Sequence, residues 1–235
     1  MAERAALLFP RLLAGLFFFV LFTSCVCASG IPSKYDGFYY SGGGEGWEDV
    51  IVVDAFLDPL CPDSRDSWPT LKKVVELYSP LLAVIVHPFP LPYHSNSFLA
   101  CRALHIANKL NASSTFPFLE LFFRYQEKYY NAPTKNITRT AIIEDMANLS
   151  IEAVGNSLSE FLSGFDDQDT DLATRITFKY GCSRGVYGAP FFFVNGFLLP
   201  DAGSALDFTT WKNIIDPLLA KHKKQGSARL LSFLM

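Results

Sequence analysis

The chain has 235 residues, half of them hydrophobic and 15% aromatic, with 22 Phe. Such a composition excludes a disordered chain and fits one domain with a sizeable core, or one domain carrying an insertion. With 20 Lys and Arg against 23 Asp and Glu, the charge leaves no electrostatic footprint for nucleic acid.

At the N-terminus, Arg4 and Arg11 flank the start of an apolar run from Leu12 to Phe22, and small residues follow at Val26-Cys27-Ala28. This pattern predicts a cleavable signal peptide over residues 1–28. The run is short for a membrane span, so an uncleaved anchor is the weaker alternative. Cleavage would remove Cys25 and Cys27 and leave Cys61, Cys101 and Cys182. In an oxidising compartment an odd number of cysteines implies at least one thiol outside any intramolecular pair. Asn-x-Ser/Thr sequons at Asn111, Asn136 and Asn148 fit a glycoprotein of the secretory pathway. The closing Ser-Phe-Leu-Met is not a KDEL-type signal, so the ER lumen and the extracellular space both stay open.

Residues 29–49 read as a short aromatic strand and a Gly-rich loop. Gly42-Gly43-Gly44 lacks the Lys and Ser/Thr of a phosphate-binding loop, and reads as a flexible connection. Residues 50–94 read as a βαβ unit: strand Val50 to Leu57, helix Pro62 to Tyr78 with a kink near Pro69, strand Leu81 to Val86. The segment from His87 to His94 follows as a turn, its alternating prolines excluding regular structure. Across 95–180 only helices are predicted, at Ser97 to Lys109, Phe116 to Tyr130, Arg139 to Asn148, Ser157 to Ser163 and Thr170 to Lys179. Residues 181–222 return to strands. Asn195-Gly196 joins the apolar runs Ala189 to Val194 and Phe197 to Leu199 as a hairpin, and an amphipathic helix spans Ser204 to Lys221. In that helix Trp211, Ile214, Ile215 and Leu218 point inward, and residues 223–235 read as a basic, apolar-tipped tail in solvent.

The chemistry concentrates where the first strand runs into Cys61-Pro62-Asp63-Ser64. A cysteine at a helix start meets unpaired N–H groups and the positive end of the helix dipole, both of which favour a thiolate. Together with the helical block and Gly188-Ala189-Pro190 before the hairpin, this order resembles the DsbA-like branch of the thioredoxin superfamily, the plant-type secreted members above all. The resemblance rests on Leu57 to Ser64, His94 to Lys109 and Gly185 to Gly196. It implies an α/β thioredoxin-like fold (βαβ … ββα) with an all-helical insertion. It also implies thiol–disulfide chemistry with Cys61 attacking, Pro190 as a facing cis-proline, and Ala189 offering backbone to a substrate. A cis X-Pro bond costs little, although a trans proline opening a strand is the ordinary alternative.

Three features depart from that pattern: Ser64, Asp63, and the buried acid expected before the motif, which does not align and for which Asp54 is only a loose candidate. Ser64 stands where a dithiol enzyme has its resolving cysteine, and its hydroxyl is not redox-active. Release of a mixed disulfide would therefore need an outside thiol, glutathione or a client's own cysteine. Asp63 places a carboxylate in the first helical turn, where it would oppose the thiolate. The expected function is a monothiol oxidoreductase or isomerase acting on thiol- or disulfide-containing clients. The alternative is a binding or chaperone module that has lost redox activity. A glutathione-transferase-like role is weaker, because that branch uses serine at the first position.

The remaining candidates are structural. Cys101 and Cys182 are expected to pair, with Cys182 as a resolving partner for Cys61 the lesser option. Asp54 reads as a strand-end residue rather than a proton relay. His87, His94 and His105 show no ligand spacing, so no metal or other cofactor is expected, and His87 and His94 read as surface or cap residues. Phe191-Phe192-Phe193 reads as buried strand, though exposure there would suit a client groove. The sequence has no Gly-x-Ser-x-Gly elbow of a hydrolase.

Overall fold

The computed structural model describes residues 34–41, 50–155, 157–200 and 203–233. The expected signal peptide and the triple-glycine loop lie outside the described residues. So do Cys25, Cys27 and the last two residues.

Five strands form one sheet in the order β1-β3-β2-β4-β5. They are β1 (Phe38–Ser41), β2 (Ile51–Leu57), β3 (Leu82–Pro88), β4 (Phe191–Val194) and β5 (Phe197–Leu198). β2 and β3 are parallel, from Ile51 opposite Leu82 to Leu57 opposite Pro88, with helix α1 (Pro62–Tyr78) as their crossover. β1 lies antiparallel on β3 and β4 antiparallel on β2. The β4–β5 turn is Asn195-Gly196, with positive φ of 48° and 81°, the backbone that Asn-Gly accommodates at little cost.

Both sheet faces are covered, which is why β3 is buried at every position. On one face Ile51, Val53, Ala55 and Leu57 meet Trp68, Leu71 and Val75 of α1. Trp211 and Ile215 of helix α8 (Phe208–Phe233) close the same layer, with Ile214 and Leu218 half-buried around them. α8 continues to Phe233, so residues 223–233, expected as a solvated tail, are helical; their Lys, Gln, Ala and Leu content favours helix, and Pro217 of the same helix lies before them. On the opposite face Phe56, Phe89, Phe191 and Phe193 gather around Cys61.

Helices occupy the stretch between β3 and β4: α2 (Ser97–Leu110), α3 (Thr115–Tyr125), the short α4 (Asn131–Thr134), α5 (Arg139–Val154), α6 (Leu158–Ser163) and α7 (Gln168–Ser183). The predicted helix to Tyr130 instead tightens into a 3₁₀ turn at Gln126–Tyr129, which buries the Gln126 side chain. α7 runs four residues past its predicted end at Lys179. Gly181 makes its approach to the sheet possible, since a Cβ there would lie 2.7 Å from the Phe89 ring. α1 is continuous through Pro69. The proline-rich turn also begins later than expected, because His87 and Pro88 remain paired in β3 opposite Phe56 and Leu57. Proline is tolerated at the strand's last position, where the ladder ends.

His87 is fully buried, not a surface or cap residue. Its ring nitrogens lie 2.9 Å from Asp36 Oδ2 and 3.0 Å from Asp54 Oδ1, and Phe56 stacks on its face at 4.5 Å. Asp54 therefore sits inside β2 in a structural clamp, joined by Tyr35, and it ties the segment before β1 to the sheet. Burial pulls the imidazole pKa down, but the hydrogen bonds and charges of Asp36 and Asp54 outweigh it and leave His87 raised. A raised folded-state pKa stabilises the protein fully below the unfolded value of about 6.5, and this contribution fades as pH rises through the higher folded value. The melting temperature should therefore fall with rising pH from about 6.5 upward, and His87→Gln should flatten that slope. A variant with the parent's slope would contradict the clamp.

Candidate active site

Cys61 is the N-cap of α1, with Pro62 in the first turn. The residue is 3% exposed, and its thiol donates to the Ala189 carbonyl oxygen at 3.3 Å. The register of Phe56 opposite Phe191 brings the ends of β2 and β4 side by side. The turn before β4 thus lies over the helix start. The Ala189–Pro190 peptide is cis, and both residues are buried. The structure brings Cys61, Pro62, Ser64, Ala189 and Pro190 into one site, with Asp63 at its exposed edge.

Ser64 is fully buried and holds the site together. Its hydroxyl oxygen accepts the Asp58 N–H at 3.1 Å, while its N–H and hydroxyl favour a charged sulfur at Cys61. A Ser64→Ala change would leave a buried N–H without a partner, a cost of roughly 1–3 kcal/mol. From the helical block, Gln126 Nε2 donates to the Pro59 and Cys61 carbonyls at 3.3 and 3.4 Å, pinning the loop before α1.

Asp58 is the residue that sequence reasoning missed. It is fully buried three positions before Cys61, and its carboxylate accepts the N–H groups of Leu60 at 2.8 Å and Leu91 at 3.0 Å. Ser97 donates its hydroxyl to the same group, and His94 Nδ1 lies 2.9 Å from Oδ2. His94 is therefore a partner of the buried acid rather than a free surface residue. The available signal was an acid between Leu57 and Pro59, in an otherwise apolar approach to the motif.

These neighbours pull the Cys61 thiol both ways. Burial is the largest influence and raises its pKa; the Ser64 groups lower it, the Asp58 charge raises it, and the Asp63 N–H lowers it, with a net rise. The opposing carboxylate is thus Asp58. Asp63 is exposed, and its backbone favours the thiolate, a different part from the one read in the sequence.

The expected Cys101–Cys182 bond is not formed: Cys61, Cys101 and Cys182 are all free thiols. Cys101 is fully buried on α2, where burial pushes its pKa well up and Asp58 adds to the rise. Cys182 lies exposed in the last turn of α7, so the two thiols face different surroundings. His105 is half-buried beside Phe38, and desolvation pushes its pKa down to about 4. Asn111, Asn136 and Asn148 are exposed. Phe191, Phe192 and Phe193 are buried, which excludes an open aromatic groove at those side chains. Among the described residues no group of three His, Cys, Asp or Glu side chains is arranged to hold a metal.

Residues 52–209 match the DSBA-like thioredoxin domain family, more than half of the chain. A search of curated proteins finds no match. Among solved structures the chain is similar to a candidate protein-disulfide isomerase from Pseudomonas syringae, at 20% identity and a TM-score of 0.64, covering 77% of this chain and 98% of that one. It is also similar to the catalytic domain of Proteus mirabilis ScsC, at 20% identity and a TM-score of 0.58, covering 81% and 93%. The oxidoreductase DsbA from Xylella fastidiosa aligns at 15% identity and a TM-score of 0.53, covering 75% and 88%. At these identities the likeness is one of fold.

If the Asp58 charge opposes the thiolate, Asp58→Asn should move the Cys61 alkylation profile to lower pH. Asp63→Asn should leave that profile close to the parent's. The reverse ranking, with Asp63→Asn giving the larger shift, would show that the exposed acid governs the sulfur.

Proposed function

This chain belongs to the DSBA-like thioredoxin domain family, and from that membership we propose that it is a monothiol thiol–disulfide exchange protein of the secretory pathway. One observation carries the proposal: the Cys61 thiol sits at a helix start against Ala189 and Pro190, with a hydroxyl at position 64.

Exchange on such a site has two steps. The Cys61 thiolate attacks one sulfur of a client disulfide; a new S–S bond forms as the client's breaks, and the departing client thiolate takes up a proton. Ser64 cannot attack the resulting mixed disulfide. A second thiolate, from the client or from glutathione, attacks it instead and restores Cys61. With a client cysteine the net change is rearrangement of disulfides. With a glutathionylated client and free glutathione, the products are one client thiol and one glutathione disulfide, so electrons balance without another oxidant. The partners are thiol- or disulfide-containing client proteins and glutathione as co-substrate; no bound cofactor enters either step.

The setting follows from the leader-like N-terminal sequence and the exposed sequons at Asn111, Asn136 and Asn148, which support a glycoprotein of the ER lumen or extracellular space. Among the described residues no helix is long and apolar enough to cross a membrane.

A specific observation favours a second reading. Cys61 is nearly enclosed and its pKa is raised, by burial first and the Asp58 charge among the other causes, as suits a fold kept for client binding after redox chemistry was lost. The two readings part on a direct assay. Cys61→Ser should abolish exchange with a small mixed-disulfide reporter; equal turnover by variant and parent would overturn the exchange reading. Ser64→Cys, oxidised beforehand to its disulfide with Cys61, should oxidise one equivalent of a dithiol peptide while its own disulfide is reduced, and the parent should not. The substitution should also lower stability, because a thiol accepts the Asp58 N–H more weakly than a hydroxyl.

A further inference from the structure

Beside the Cys61 site, the turn after β3 and helices α2 and α7 enclose a cavity of about 470 Å³. Its walls are apolar, from Pro90, Pro92, Phe98 and Phe178, while its charged lining residues are Arg175 and Lys179. His94, the partner of Asp58, also contributes to the wall. Both rim charges are cationic on a chain of net charge −3. Arg175 pairs with Asp171 one turn back on α7 and lies over the Phe98 ring at 5.7 Å. Lys179 is exposed.

The cavity adjoins the cluster around the thiol. Leu91 lines it and also packs in the cluster that holds Cys61 and Phe89, and Phe178 stacks on Phe89 at 5.3 Å. Tyr93, on the same turn, is 61% exposed, and its phenol pKa is raised by burial and by the charges of Cys61, Asp58 and Asp63. A polypeptide crossing Cys61 can therefore run past Tyr93 into a groove with greasy walls and a positive rim.

We propose that this cavity is a client subsite that takes an acidic segment flanking the client's reactive cysteine, its carboxylates at Arg175 and Lys179 and its apolar side chains against Phe98 and Phe178. The assignment rests on the exchange reading above and gives it a substrate class. Charge complementarity sets the choice of occupant: a basic segment would meet like charge at the rim, whereas an acidic one adds a carboxylate at the exposed Lys179 and beside Arg175, whose own partner is Asp171.

The test uses the full chain and three mixed-disulfide peptides that differ only in flanks of two Asp, two Lys or two Ser. Exchange with the Asp reporter should exceed that with the Lys reporter by roughly three- to tenfold, as two exposed ion pairs allow. The preference should shrink between about 50 and 500 mM salt. Lys179→Glu should reduce or reverse it, and Arg175→Gln should reduce it. Equal rates for the Asp and Lys reporters, or a preference that survives both substitutions, would overturn the subsite. Binding of the reduced, labelled peptides to Cys61→Ser reads the cavity without chemistry. Acidic-selective binding with no exchange by the parent would refute the exchange reading alone; exchange without charge selectivity would refute the subsite alone.

Discussion

The antiparallel register of β4 on β2 is the constraint on which the rest of the site depends. With Phe56 opposite Phe191, the turn before β4 can lie only beside the loop that ends β2. The Ala189 carbonyl thereby reaches the sulfur of a residue 128 positions earlier in the chain. A slip of one residue would turn the side chains of β4 to the opposite face. Phe191 and Phe193 would leave the aromatic cluster, and the wall behind Cys61 would go with them. The helical block is tied to the same point, through Gln126 on the Pro59 and Cys61 carbonyls and through His94 and Ser97 on Asp58.

Around that point the site balances two tendencies. A helix start and the Ser64 groups favour a charged sulfur, whereas enclosure and the Asp58 carboxylate oppose it. Asp58 is stabilised by N–H and O–H donors from three separate segments, so it is also a structural hub; its effect on the sulfur comes with its part in joining the β3–α2 turn to the loop before α1. Ser64 combines two jobs in the same way. It completes the hydrogen bonding of the Asp58 N–H and occupies the place where a second thiol would end each cycle. These features are the ground for proposing partner-assisted exchange rather than autonomous oxidation.

Much of this fold is legible in the sequence because it is written in local terms. The β-branched run before Cys61, Pro62 at a first helical turn, and Asn195-Gly196 between apolar runs each carry a short-range mechanism. Their order then resembles one family. The errors fall where meaning depends on what arrives from elsewhere. His87 lies among prolines and looks like turn, yet Asp36 and Asp54 reach its two nitrogens only after three segments meet. Asp58 and Asp63 look alike in the sequence, because distance along the chain does not tell which carboxylate turns inward. Two helix ends differ from expectation, Tyr125 rather than Tyr130 and Ser183 rather than Lys179, where Gln126 and Gly181 answer to distant groups rather than to local propensity.

The central claim is that Cys61 attacks and that nothing within the chain resolves the product. Intact-mass analysis of the protein after incubation with a disulfide-bonded peptide, quenched at intervals, tests this directly. The account predicts an adduct on Cys61 that accumulates and persists until glutathione or another thiol is added. Release without added thiol, by formation of a disulfide to Cys101 or Cys182, or the absence of any adduct, would contradict it.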